Sequence, residues 1–515
     1  MTPSAIGARD LPMPRRRGKS SATPPMAAWR ALPDLSSMTT RPRLAQSFNR
    51  RNFSLNIDRV KVLSSLSGRD NRQWEDGKSG QHRRRIVRII AEGMVGRLHC
   101  RYGRIRFLVV AVLSTICVTE VSCMKIEAVD FFYLSMPVVT DAGDGSQDAL
   151  VVRVHAGGIT AWGECEASPL TSIASFVCPM SHGACRPVSA SVLGMDVSSP
   201  ADIARIAATI QWNNVDLLQA AHTWSGIEIA LWDLLGRMRG EAVYRLLGYD
   251  RAYPKLPYAS QLFGDNPQET LDLCRAARNA GFRAVKCGWG PFGRGSLKED
   301  ADQLTAAREG LGPDGMLLID AGQIWGEDVA AAEARLPLLE SVKATWLEEP
   351  FHGSAYEAYG SLAGKAGSLK LAGGEAAHNV FMARHMIDYG KVGFVQIDCG
   401  RIGGIGPAKQ VVDYAAGKGV TYVNHTFTSH LALCASIQPY AGLSDHRICE
   451  YPVKPQPMAW EMCANHIAPD RNGEIIVPDA PGLGIEIDLA ALKKYKVDVE
   501  IRVKDKILYR SPDID

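Results

Sequence analysis

From about residue 254 the chain repeats one hydropathy pattern, a short apolar run followed by a longer amphipathic stretch. LPYASQL precedes NPQETLDLCRAARNAG, FRAVKCG precedes SLKEDADQLTAAREGLG, and MLLIDAG precedes EDVAAAEARLPLLESV. ATWLEEP precedes a stretch around 355–366, LKLAGGE precedes NVFMARHMIDYG, and VGFVQIDCG precedes GPAKQVVDYAAGKG. VTYVNHTF precedes SHLALCASIQPYAG, and HRICEYP closes the series with no comparable amphipathic stretch behind it. Runs of five to eight residues suit buried strands, and the intervening stretches carry helical periodicity. Strict alternation of the two predicts an α/β fold with a parallel barrel across 254–452.

Upstream, residues 124–253 read differently. KIEAVDFFYL, ALVVRVHA and ITAWGE are strand-like, and Gly157-Gly158 between the last two predicts a tight hairpin. PADIARIAATIQ, entered through Ser198-Ser199-Pro200, and SGIEIALWDLLGRMRG are helical; Ile227, Ala230, Leu231, Leu234 and Leu235 form one apolar stripe. This is an α+β module. Residues 453–515, with a hairpin-like NGEIIVP and then PGLGIEID, are expected to pack back on it.

Charge separates a further region. Residues 1–123 hold 23 Lys and Arg against 8 Asp and Glu, whereas the remainder holds 35 against 47. The net charge of +3 therefore conceals two unlike parts. The basic part lacks sustained periodicity and reads as a poorly folding extension, or as sequence upstream of the true translation start. Such a tail suits nucleic acid or anionic lipid. The run 107–118 (FLVVAVLSTICV) resembles an export-signal core, but only if translation starts near Met94. The twelve cysteines are scattered without metal-ligand spacing and suit a reducing compartment, so a cytoplasmic location is expected.

The chemistry lies at the ends of the apolar runs. Asp320, Glu348, Glu375, Asp398, His425 and Glu450 recur every 23 to 28 residues, one per βα unit. In a parallel barrel those positions form the rim at the C-terminal ends of the strands, where active sites are built. Asp320, Glu348 and Glu375 supply three hard oxygen ligands with no His or Cys among them, which suits Mg²⁺. Glu349 competes with Glu348 for this place. Asp398 and His425 on neighbouring strands form a candidate acid–base pair, the carboxylate fixing the imidazole tautomer. His430, His352 and His378 are rivals for the base. Lys286, following FRAV, could balance charge developing on a substrate carboxylate, and Glu450 could hydrogen-bond an enolate oxygen.

These residues, in IDAGQIW, WLEEP, GGE, IDCGRIGGIG, NHTF and CEYP, resemble the enolase superfamily and within it the mandelate racemase subgroup. IEIALWDLLGR and VPDAPGLGIEID resemble that family's cap helix and C-terminal segment. The resemblance covers about 124–490. It implies a modified (β/α)₇β TIM-type barrel with an α+β capping domain, and Mg²⁺ as cofactor. It also implies removal of the proton next to a substrate carboxylate to give an enediolate. The subgroup usually carries Lys-x-Lys on the second barrel strand, but here it reads Lys286-Cys287-Gly288, so the second base is missing. One-base chemistry by His425 follows, and with it an acid-sugar dehydratase. A racemase, epimerase or cycloisomerase, or a non-catalytic metal-binding homologue, are the alternatives. The expected partners are a small hydroxy-carboxylate and further copies of the chain, with no nucleic-acid or membrane partner for the folded region. Loops near 138–146 and 165–185 are expected to set specificity.

Overall fold

The computed structural model describes residues 124–165 and 168–514. The expectations for 1–123, including the basic tail and the 107–118 run, fall outside the described residues. The cap, barrel and C-terminal segment form one compact unit.

The cap begins with strands β1 (Met124–Ser135), β2 (Asp148–Ala156), β3 (Ile159–Cys165) and β4 (Asp196–Val197), in an antiparallel sheet of order β3-β2-β1-β4. Gly157 and Gly158, both at positive φ, make the two-residue turn that pairs Ala156 with Ile159. Helices α1 (Pro169–Val177), α2 (Pro200–Asn213) and α3 (Ala220–Arg239) follow. The Ser199 hydroxyl caps α2 by accepting from Asp202 N, and Pro200 occupies the first turn, as the sequence predicts. α3 is buried from Thr223 to Gly236, well beyond its predicted stripe, because the sheet covers one side and the barrel the other.

The barrel strands are β5 (Leu256–Leu262), β6 (Ala284–Gly288), β7 (Met316–Asp320), β8 (Ala344–Glu348), β9 (Lys370–Gly373), β10 (Phe394–Asp398), β11 (Thr421–His425) and β12 (Ile448–Pro452). Parallel ladders join them in chain order from β5 to β11, and β12 pairs with β5. At the β11–β12 seam a side chain takes over from the ladder. Asn424 Oδ1 accepts from Glu450 N at 2.9 Å, and its amide donates to Glu450 O at 3.4 Å. Strand alternation sends every second residue inward. Tyr258, Ala284, Leu318, Trp346, Ala372, Val423 and Ile448 form one apolar layer plugging the interior. Two residues further along the same strands stand Ser260, Lys286, Asp320, Glu348, His425 and Glu450. The candidate site is therefore the next layer up, resting on a packed floor.

Three local expectations are corrected. The single helix expected in EDVAAAEARLPLLESV is two short ones, Val329–Glu333 and Leu336–Ser341, because Pro337 has no N–H to continue the ladder and starts a new first turn. NGEIIVP is not a hairpin: Ile475 exchanges backbone hydrogen bonds with Lys255 at 2.7 and 2.9 Å. The hairpin in this region is β13 (Glu500–Val503) with β14 (Lys506–Arg510), turning at Lys504 with φ 54°. The C-terminal segment does return to the cap, where Val497 N donates to Tyr133 O at 2.8 Å.

Candidate active site

Asp320 and Glu348 are the last residues of β7 and β8 and sit side by side in register. Glu375 lies two residues past β9, and Asp398 and His425 end β10 and β11, also in register. Glu450 is central in β12, with Ser260 of the neighbouring β5 donating to its Oε1 at 2.8 Å. Lys286 lies two residues before the end of β6, below the rim. Its Nζ reaches Glu348 Oε1 at 2.7 Å, Glu450 Oε1 at 2.8 Å and Asp320 Oδ2 at 3.6 Å. The seven residues singled out in the sequence thus meet at one place. Lys286 lines the cavity with its ammonium among three carboxylates at the bottom of the site.

The base pair is well formed. His425 Nδ1 donates to Asp398 Oδ2 at 2.7 Å, and Asp398 Oδ1 accepts from Gly400 N at 2.6 Å. This leaves Nε2 on the cavity side, 3.2 Å from Glu375 Oε2. Burial alone would lower the imidazole pKa, but Glu375, Glu450 and the Asp398 hydrogen bond outweigh it and raise it to about 10. His430 stands apart from this pair: its Nδ1 accepts from Ile467 N at 3.2 Å and its ring packs on Trp460 and His466. His352 contacts Gln323, and His378 meets His222 of the cap at 2.9 Å.

The carboxylates repel one another. Burial raises Glu348 to about 8 and Asp320 to about 6, with neighbouring carboxylates adding to the shift and Lys286 opposing it. Glu375 is also desolvated, yet His425 and Arg401 bring it down to about 2; Arg401 Nη1 lies 3.2 Å from its Oε1. Among the described residues no three side chains are already spaced as a closed metal-ligand cluster. The donor set nevertheless fits a hard divalent cation: oxygen ligands only, mutually destabilised while charged, with Asp320 and Glu375 facing the cavity. Glu349, the rival to Glu348, takes a positive φ of 37°, and its Oε2 accepts from Gln323 at 2.7 Å. Glu348 is the one that joins Lys286 and Asp320.

A cavity of about 290 Å³ opens over this layer. Lys286, Asp320, Glu375, His425 and Glu450 line it, while Glu348 and Asp398 lie buried behind it; Gln261, Trp289, Arg401, Phe427 and the cap loop at Ala142–Gly145 complete the wall. The 138–146 loop thus reaches the site as expected, whereas no described residue of 165–185 does. Arg401 sat in the quoted IDCGRIGGIG without a role, and Trp289 followed FRAVKCG; neither bore a spacing signal of its own. At Gly288 a Cβ would lie 2.8 Å from Asp320 Oδ2 and 3.0 Å from Asp320 Cβ, so a side chain there would require the Asp320 carboxylate to shift.

Comparison with known proteins agrees with this geometry. Residues 128–248 match the mandelate racemase/muconate lactonizing enzyme N-terminal domain, and residues 269–491 match the enolase C-terminal domain-like model. The crystal structure of a predicted mandelate racemase from Rhodobacter sphaeroides is 62% identical, with a TM-score of 0.73, covering 76% of this chain and all of that one. A D-galactarolactone cycloisomerase from Agrobacterium fabrum is 31% identical over 53% of this chain and 73% of its own. An L-talarate/galactarate dehydratase from Salmonella typhimurium is 28% identical over 58% and 72% respectively. Two-domain match, barrel topology and rim chemistry agree, and this chain belongs to the mandelate racemase/muconate lactonizing enzyme family of the enolase superfamily.

Proposed function

We propose that this chain is a Mg²⁺-dependent acid-sugar dehydratase. What supports the reading is one imidazole, His425 oriented by Asp398, facing the carboxylate layer, with Gly288 at the strand position where the subgroup resembled usually carries its second lysine. Asp320, Glu348 and Glu375 would hold the metal, which when bound neutralises a substrate carboxylate and makes the adjacent C–H more acidic. A cation held by Glu375 would offset the charge that keeps the imidazole pKa high, leaving His425 Nε2 neutral to take the α-proton. The resulting imidazolium is shielded by Glu375 and Asp398 and sits where it can return that proton to a departing β-hydroxyl. The α-hydrogen and β-hydroxyl leave together as water, and the enol left behind becomes a 2-keto-3-deoxy acid. Lys286 and Glu450 lie in contact on the floor of the cavity, with Ser260 fixing Glu450.

A cycloisomerase reading uses the same proton abstraction and draws support from the Agrobacterium relative. The two part at the product. Purified protein with Mg²⁺ is incubated with a panel of aldonic and aldaric acids and their lactones in D₂O. Dehydration gives 2-keto products, with deuterium entering only the α-epimer whose proton faces His425. Ring opening or closure without a keto product supports the cycloisomerase instead. Efficient interconversion of two α-epimers would rule out one-base dehydration.

A further inference from the structure

One buried acid in the cap is left unused by this chemistry. Glu164 is the penultimate residue of β3 and pairs with Val151 in the cap sheet, yet its side chain points across the domain boundary. There its Oε2 accepts a hydrogen bond from Ser429 Oγ. Ser429 in turn caps the helix His430–Ile437, accepting from Leu431 N at 3.0 Å and Ala432 N at 3.4 Å. The four residues 426–429 are the whole link between His425 at the end of β11 and that helix. Their other anchor is Thr426 N, which donates to Glu450 Oε2 at 2.7 Å. A small cavity of about 10 Å³, room for about one water molecule, lies behind the base pair. Glu164, Asp398, His425 and Thr426 line it. Glu164 Oε1 and Thr426 Oγ1 are buried there without a hydrogen-bond partner among the described residues.

We propose that Glu164 is a positioning residue for His425, holding the 426–429 link through Ser429 so that the seating of the cap fixes the base. A buried acceptor tying two domains together next to a base limits the base's freedom in the way orienting groups do. The inference deepens the dehydratase reading and shares its assumption that His425 is the base.

The test compares Glu164→Ala, Glu164→Gln and Ser429→Ala in the full chain, each first checked for folding by circular dichroism. Amide hydrogen exchange over 426–432, read by mass spectrometry without substrate, is expected to quicken in Glu164→Ala and Ser429→Ala. It should stay at the wild-type rate in Glu164→Gln, whose amide oxygen still accepts from Ser429. With an acid that the wild type turns over, Glu164→Ala should lose roughly ten- to a hundred-fold in kcat with KM nearly unchanged, the scale of a small misplacement of a reacting group. Glu164→Gln should recover most of it. Unchanged exchange in Glu164→Ala, or a change in KM alone, overturns the proposal. If the wild type turns over none of the acids, the dehydratase reading falls and the exchange measurement alone decides the role of Glu164.

Discussion

Buried carboxylates occupy two regions of this molecule and are treated in opposite ways. On cap helix α3, Glu228 accepts from Ile405 N at 2.7 Å, Gly406 N at 2.8 Å and Trp232 Nε1 at 2.8 Å, so it caps the barrel helix Ile405–Lys418 from another domain. Asp233 accepts from Trp162 N, Leu483 N and Arg237. Each has its oxygens covered by donors from fixed backbone. At the barrel mouth Asp320 receives a single N–H, from Gly322 at 2.8 Å, and Glu348 accepts from Trp346 Nε1 at 3.1 Å and shares Lys286 with Glu450 and Asp320. Glu228 and Asp233 are finished structures. At the mouth one ammonium is spread over three carboxylates, and that surplus of negative charge distinguishes a candidate site from a seam.

The contrast can be broken most forcefully at the mouth. Glu348→Gln or Glu375→Gln should lower kcat/KM by about 10³-fold or more, the several kcal/mol expected of metal-centred charge stabilisation. Mg²⁺ affinity by calorimetry should fall in parallel while the circular dichroism spectrum is unchanged. Unaltered Mg²⁺ binding in both would remove the proposed metal site. His425→Asn should leave Mg²⁺ binding intact but cost about 10²- to 10⁴-fold in turnover, and it should end α-proton exchange into D₂O.

Glu228→Ala should do the reverse. Leaving buried N–H donors unpaired costs about 3 kcal/mol in all, which should appear as a lower Tm with Mg²⁺ affinity preserved. A Tm equal to wild type would show that the seam does not depend on this cap. The smallest effect is a pH slope. Burial outweighs three donors and raises Glu228 to about 7, above its ordinary 4.5. As pH rises through that window the unfolded chain loses this proton first, so its contribution to stability is full below 4.5 and is lost by about 7. Glu228→Gln should therefore show a shallower fall of Tm between pH 5 and 7 than the wild type. Parallel slopes would mean that other groups set the dependence.

The seven site residues were legible because a βα period places one side chain at the end of each strand, and a rim converts equal spacing along the chain into proximity. What period cannot convey is depth and cross-domain contact. Lys286 was visible as a buried cation, but its place beneath Glu348 and Glu450 depends on which residues of three separate strands share a layer. Glu164 with Ser429, and Glu228 with the 405–406 amides, join residues far apart in sequence with no periodic signal. The helix break at Pro337 was readable from proline chemistry. NGEIIVP misled because turn residues beside an alternating run mark an extended segment without naming its partner, here Lys255. The hairpin at 500–510 carried its alternation among charged residues, where no core face announced it.

The absence of a side chain at residue 288 leaves that space to the Asp320 carboxylate. A Cβ there would lie 2.8 Å from Asp320 Oδ2, so a larger residue has to displace the tip of that carboxylate. What residue 288 carries and where a rim carboxylate rests are therefore one choice and not two.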